Sequence, residues 1–166
     1  MTSSSQHKKE ILELIGSIVL SAQESEQYLK AILPFTNSQD PSLSGALARY
    51  EKLKKRTLGE VVRKFLDSST SYTPDLASRL DELVTMRNQI VHHFNETYGA
   101  QLRSGQTQAV ADSLRAQLVG IDAFKQGLQH TALQLFEAIR DTTFDGTAEY
   151  RAMADLCASF RRRFAI

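Results

Sequence analysis

Three residues within a six-residue span, Arg87, Asn88 and His92, are the side chains in this sequence best suited to handling a phosphate. An arginine can offset negative charge that builds on phosphoryl oxygens. An imidazole can take up or release a proton near neutral pH, and an amide can orient either group. The three stand in the segment Leu83-Val-Thr-Met-Arg-Asn-Gln-Ile-Val-His-His-Phe94. At about 100° per residue, Leu80, Leu83, Val84, Ile90, Val91 and Phe94 form one apolar stripe of a helix, with Arg87 near its middle. A guanidinium in that position requires a carboxylate partner, a wet cleft or an anionic ligand. Asn88 and His92, four residues apart, stack on a neighbouring face, where the amide can orient the imidazole. The structural alternative pairs Arg87 with a core acid such as Glu13 or Glu60 and leaves His92 and His93 as a solvated helix end.

Little other chemistry is available. The sequence holds no glycine-rich phosphate loop, no His-Glu-x-x-His and no convincing Ser/His/Asp arrangement. Adjacent helical side chains diverge by about 100°, so His92 and His93 are not expected to share a metal, and neither a metal nor a cofactor is expected. His7 lies near the N-terminus, and His130 reads as a surface residue of a long helix. The one cysteine, Cys157, can form no internal disulfide, which fits a reducing compartment.

A basic run is the second feature. Arg49, Lys52, Lys54, Lys55, Arg56, Arg63 and Lys64 face only Glu51 and Glu60 between positions 49 and 64. With His93, these side chains are candidate contacts to an RNA backbone. The alternative is a solvated helix face. The phenylalanines and tyrosines read as core residues, and no stacking platform for bases stands out.

The elements that must position these groups are all helices. Ile11, Leu14, Ile15, Ile18, Ala22, Leu29, Ile32 and Leu33 mark one face of a long first helix, ended by Pro34 and the polar stretch to Pro41. A second helical stretch begins near Ser42 and restarts at Thr57, which has capping-box spacing with Glu60. Thr73 and Pro74 open a third helix, expected to run to Tyr98 with Gly99 just past its end. The fourth runs from about Gln106 to Arg140. Along it Leu114, Ile121, Leu128 and Leu135 recur every seven residues, and a second row of Leu118, Ala132 and Ile139 is interrupted by Lys125. That lysine either fixes the register or lies at an end of the packed surface. A last helix follows the Asp145-Gly146 turn, with Tyr150, Met153, Cys157, Phe160 and Phe164 on one side and Arg161, Arg162 and Arg163 in its final turn.

These elements predict an all-α, up-and-down helical bundle of four to five helices forming a single domain over residues 1–166, with residues 1–6 frayed. The length of 166 residues, 42% hydrophobic and 23% charged, suits one soluble domain with its own core. Twenty basic against nineteen acidic side chains leave a net charge of +1, so bulk charge argues for neither nucleic acid nor membrane. Lys8 and Lys9 before an apolar run imitate an export signal, but Glu10 and Glu13 interrupt it and the helical pattern continues beyond Ala22. A cytoplasmic protein with no membrane span is expected.

Around Arg87, Asn88 and His92 the sequence resembles the HEPN superfamily of all-helical proteins. The signature of that family is an arginine, a polar residue and, after a short spacer, a histidine on one helix of a small bundle. Here four residues separate Arg87 from His92. The match covers this helix closely and the rest of the chain only as helical architecture. The resemblance implies metal-independent cleavage of single-stranded RNA by a homodimer whose two motifs face a shared cleft. His92 would act as acid or base at the ribose 2′-hydroxyl, Arg87 would stabilise phosphate charge, and Asn88 would orient. It further implies a toxin, paired with a cognate antitoxin, or a phage-defence effector. In one subgroup a tyrosine two residues after the histidine receives a neutralising nucleotide. This chain has Phe94 there, with Tyr98 one turn further on. The competing reading is a non-catalytic helical interaction or regulatory module, either an antitoxin or a subunit of a defence complex.

Overall fold

The computed structural model describes the backbone of residues 2–36, 40–68 and 74–164, and the side chains of 6–36, 40–68 and 74–162. Among the described residues there is no strand. The chain forms α1 (Thr2–Ile32), α2 (Leu43–Leu53), α3 (Leu58–Ser68), α4 (Pro74–His92), α5 (Phe94–Arg103), α6 (Thr107–Thr142) and α7 (Tyr150–Phe164), with a 3-10 turn over Leu33–Phe35. The all-α class is therefore as the hydrophobic periodicity indicates. Seven described helices stand where four to five were expected, because two of the anticipated stretches are each divided.

Local chemistry accounts for most boundaries. Pro34 sits in the 3-10 turn that closes α1, since its ring cannot continue the helical ladder. The Ser42 hydroxyl caps α2 by accepting from Gly45 N at 3.1 Å. Thr57 and Glu60 form the expected capping box of α3: Thr57 N donates to Glu60 Oε2 at 2.9 Å, and Glu60 N reaches back to Thr57 Oγ1 at 3.5 Å. Pro74 is the first residue of α4, while its proposed cap Thr73 lies outside the described residues. So do the side chains of residues 1–5, Arg163 and Phe164. The backbone is helical from Thr2.

The third helix departs from expectation. It stops at His92, and Gly99, anticipated as its terminator, lies buried inside α5. There its missing Cβ makes room for the Arg103 guanidinium, whose Nη1 would stand 3.1 Å from a Cβ at that site. The glycine that ends the segment is Gly105, at φ +81°, the left-handed region that glycine adopts without steric cost. Gly146, at φ +70°, makes the expected turn before α7.

The chain divides into two compact units, the first of Met1–Glu24 with Thr73–Lys125 and the second of Ser25–Tyr72 with Gln126–Ile166. The division falls inside α1 and α6. The first unit buries Ile11, Ile18 and Ala22 of α1, Leu80, Leu83 and Ile90 of α4, Tyr98 of α5, and Val110, Ala111, Leu114 and Ile121 of α6. Within it α1 and α6 run parallel. Arg115 binds Glu10, Ser21 Oγ donates to Asp122 Oδ1 at 2.6 Å, and Lys125 pairs with Glu24 at 3.0 Å. The lysine that interrupts the heptad row is thus a register contact to α1. Burial lowers its pKa, and hydrogen bonds to Glu24 and Asp122 more than compensate, holding it above the ordinary lysine value.

The second unit has a core of Ile32, Leu43, Ala132, Phe136, Phe144, Met153 and Cys157. Burial pushes the Cys157 thiol up, so it packs as an apolar side chain rather than as a nucleophile. Tyr150, expected on the core face of α7, is partly exposed and instead lies against Arg140, with its hydroxyl 3.3 Å from Asp141 Oδ1. Among the described residues no helix is long and apolar enough to cross a membrane.

Candidate functional site

The site occupies the C-terminal part of α4 and its junction with α5, in the first unit. Leu83 and Ile90 anchor this part of α4 in the core at 2% and 4% exposure, which fixes the direction in which the intervening side chains leave the helix. The helix breaks at His93, whose φ of −123° and ψ of 19° are not helical. Local bonds bridge the break: His93 N donates to Gln89 O at 3.1 Å, while Thr97 N and Oγ1 both donate to His93 O at 2.9 Å. His92 is therefore the last residue of a rigid helix and stands exposed at its end.

Arg87, Asn88 and His92 come together. Arg87 Nη1 donates to Asn88 Oδ1 at 3.1 Å and lies 3.1 Å from His92 Nε2. A guanidinium has donors only, so Nε2 must accept. In the neutral ring this contact places the proton on Nδ1. Arg87 lies at an angle between buried Leu80 and Leu83 on the helical wheel, yet it is only half-buried. Its long stem carries the charge outward to these two partners. Val91, placed in the apolar stripe from sequence, is 43% exposed, so the stripe narrows toward this end of α4.

Two expectations change. The amide holds the guanidinium, and the guanidinium in turn engages the imidazole, so Asn88 acts on His92 through Arg87. Among the described residues no carboxylate pairs with Arg87. Glu13 pairs with Lys9 at 3.7 Å, and Glu60 with Arg56 at 2.9 Å. An arginine whose partners are an amide and an imidazole keeps its full charge available to an anion.

His93 faces elsewhere, with its Nδ1 2.7 Å from Glu96 Oε2. The His92 and His93 ring centres stand 6.4 Å apart. Tyr98 is buried at 5% exposure, and its hydroxyl accepts from Gln117 Nε2 at 2.8 Å, so it offers no exposed substitute for the tyrosine that Phe94 replaces. Cavities of about 360 and 400 Å³ in this unit are lined from α4 and α6, sharing Ser78, Glu82 and Met86. Arg87, Asn88 and His92 line neither cavity. The triplet is an open surface site, better shaped for a polymer than for an enclosed small molecule.

The seven residues of the basic run belong to the second unit. Three of them have internal work. Arg49 donates to Pro34 O at 2.8 Å and Asp40 O at 2.9 Å, Lys54 pairs with Glu51 at 2.5 Å, and Arg56 pairs with Glu60. Lys52, Lys55, Arg63 and Lys64 are exposed. Sequence reasoning missed a buried cation elsewhere in this unit: Lys30 is 3% exposed, 2.5 Å from Glu26, and donates to Lys54 O at 3.2 Å at the C-terminal cap of α2. The Glu26–Lys30 spacing of four residues is the signal in the sequence that points to this pair. Comparison with protein-family models, with curated proteins and with solved structures finds no match to this chain.

Proposed function

We propose that the protein is a HEPN-like, metal-independent endoribonuclease that cleaves single-stranded RNA in the cytoplasm as a toxin or phage-defence effector. The observation that carries this reading is the convergence of Asn88 Oδ1 and His92 Nε2 on one guanidinium nitrogen of Arg87, each at 3.1 Å, with no carboxylate paired to that charge among the described residues. An arriving phosphodiester draws Arg87 to its non-bridging oxygens, which frees His92 Nε2. That nitrogen takes the proton of the ribose 2′-hydroxyl, and the 2′-oxygen attacks the adjacent phosphorus. The bond from phosphorus to the 5′-oxygen breaks, leaving a 2′,3′-cyclic phosphate and a 5′-hydroxyl end. Arg87 offsets the charge that builds on the phosphoryl oxygens.

The departing 5′-oxygen needs a proton, and each chain offers one imidazole in this arrangement. Pairing of two chains so that both motifs face one cleft supplies the second, which is the role proposed here for a homodimer. Lys52, Lys55, Arg63 and Lys64 provide the exposed charge for the RNA backbone, with Arg49, Lys54 and Arg56 contributing less because they are already engaged. A cognate antitoxin or another defence-system protein is the expected regulator.

The competing reading, a non-catalytic interaction module, draws support from Leu12, Leu20 and Val119 of the first unit, which are 69%, 61% and 71% exposed. Induced expression in a bacterial host separates the two. The nuclease reading predicts arrested growth and new RNA fragments with the wild type, and neither with His92→Ala. Equal toxicity from both proteins would leave the motif structural and favour the interaction module.

A further inference from the structure

The two cavities of the first unit, about 360 and 400 Å³, have Ser78, Glu82 and Met86 in common and so join as one cleft, which the ribonuclease reading does not use. The cleft exists because two of its lining residues are small. Ser78 stands on α4 and Gly120 on α6, and nothing lies within 4 Å of the Cβ that this glycine lacks. Leu83 and Ile121, each 2% exposed, belong to the core and fix the base of the cleft, and Met86 and Phe124 extend its apolar part. A space of about 150 Å³ accommodates benzene, so one ring or a short alkyl chain fits here.

The charge lining this cleft is negative. Asp75, Asp81 and Glu82 stand against one cation, Arg79, which is already joined to Asp75 at 2.9 Å. Among the described residues no cation pairs with Asp81 or Glu82, and Glu82 accepts from the Ser78 hydroxyl at 3.5 Å. Gln117, which lines the same space from α6, adds an independent sign. Its Nε2 donates to the Tyr98 hydroxyl at 2.8 Å, while its Oε1 is buried with no hydrogen-bond partner among the described residues. A buried acceptor left unpaired is destabilising, and an N–H donor entering the cleft relieves it. Two carboxylates without a cation and one orphaned amide oxygen select a ligand that carries both positive charge and N–H donors. A primary ammonium carries three such donors.

We propose that this cleft binds a primary amine on a compact apolar stem, with the ammonium directed to Glu82 and Gln117 Oε1 beside Asp81, and the stem against Leu83, Met86, Ile121 and Phe124. Binding involves neither Arg87 nor His92, so it holds or fails separately from RNA cleavage.

The test uses the full chain and three probes of one shape: 2-phenylethylamine, 2-phenylethanol and phenylacetate. Each is titrated against methyl resonances of Leu83, Thr85, Met86 and Ile121 in NMR spectra. The expected result is a saturable shift of these methyls, tightest for the amine, about fivefold weaker for the alcohol and weakest for the carboxylate. Ser78→Trp, at an exposed position shared by both cavities, should close the space and abolish binding while the protein stays folded. Asp81→Asn combined with Glu82→Gln should remove the advantage of the amine over the alcohol and leave alcohol binding unchanged. Gln117→Met, which removes the acceptor and keeps the length, should weaken amine and alcohol alike. Absence of saturation at millimolar amine, shifts scattered outside the lining, or equal binding of the three probes would overturn the proposal. So would an unchanged amine preference in the doubly substituted protein.

Discussion

At the scale of single residues, the structure turns three side chains that could do chemistry into an ordered chain of contacts. Asn88 holds Arg87, and Arg87 holds Nε2 of His92. Sequence spacing identified the three residues and placed Asn88 and His92 on one face, because four-residue separation in a helix is a geometric constant. It could not show that the guanidinium, with five donors and a long stem, would come between them, since that depends on rotamers that no periodicity encodes. The arrangement makes a direct prediction. Long-range nitrogen–proton NMR spectra should show His92 mainly as the Nδ1–H tautomer in the wild type, and mainly as Nε2–H in Arg87→Met. An Nε2–H ring in the wild type would contradict the contact. For activity, Arg87→Ala should lower turnover about 10²–10³-fold, the usual cost of one lost donor at a site of developing charge.

At the scale of elements, periodicity and capping chemistry located nearly every helix, and the misread boundary has a specific cause. Gly99 reads as a helix terminator because glycine commonly ends helices, yet here it lies inside α5 with the end of the Arg103 side chain close against it. The true end, Gly105, is distinguished only by its positive φ. The break at His93 carries neither glycine nor proline, so the sequence offered no punctuation for it.

The α3 cap can be read through acid titration. The backbone N–H of Thr57, and then Arg56, hold the Glu60 carboxyl below its usual range. A depressed carboxylate contributes stability that is complete above its unfolded value, near pH 4.3, and that is lost as pH falls through the folded value. Protection factors of the Val61 and Val62 amides, exchange rates taken relative to the intrinsic rate at each pH, should therefore fall on acidification in the wild type, whereas Glu60→Gln should be less protected already at neutral pH and respond little to acid. Buried Lys30 gives a second prediction at this scale. Lys30→Ala leaves Glu26 and the Lys54 carbonyl without their cation, at a cost of about 3–5 kcal/mol by chemical denaturation. A loss near zero would remove Lys30 from the account of how α2 is held.

At the scale of the whole molecule, the all-α class was legible because amphipathic stripes run through almost the entire chain. The division into two compact units was not legible. It falls inside α1 and α6, where no linker composition marks it. The basic run was visible as a count of charges, but only the side-chain partners separate Lys52, Lys55, Arg63 and Lys64 from the three cations already engaged. If these four carry RNA, the logarithm of affinity should fall with the logarithm of salt at a slope of roughly −3, the value for four contacts to a single strand. Combined Lys55→Glu and Arg63→Glu substitutions should flatten it, and a flat response in the wild type would remove the patch from the interface.

The central claim is that His92, steered by Arg87, activates a ribose 2′-hydroxyl. The measurement that tests it most directly is cleavage of a single-stranded RNA by purified wild-type protein, beside His92→Ala and beside the same RNA carrying 2′-deoxyribose at the cleaved position. The account predicts 2′,3′-cyclic phosphate and 5′-hydroxyl ends from the wild type alone, with no cleavage by the variant and none at the deoxy position. Cleavage at the deoxy position, or undiminished cleavage by His92→Ala, would contradict it.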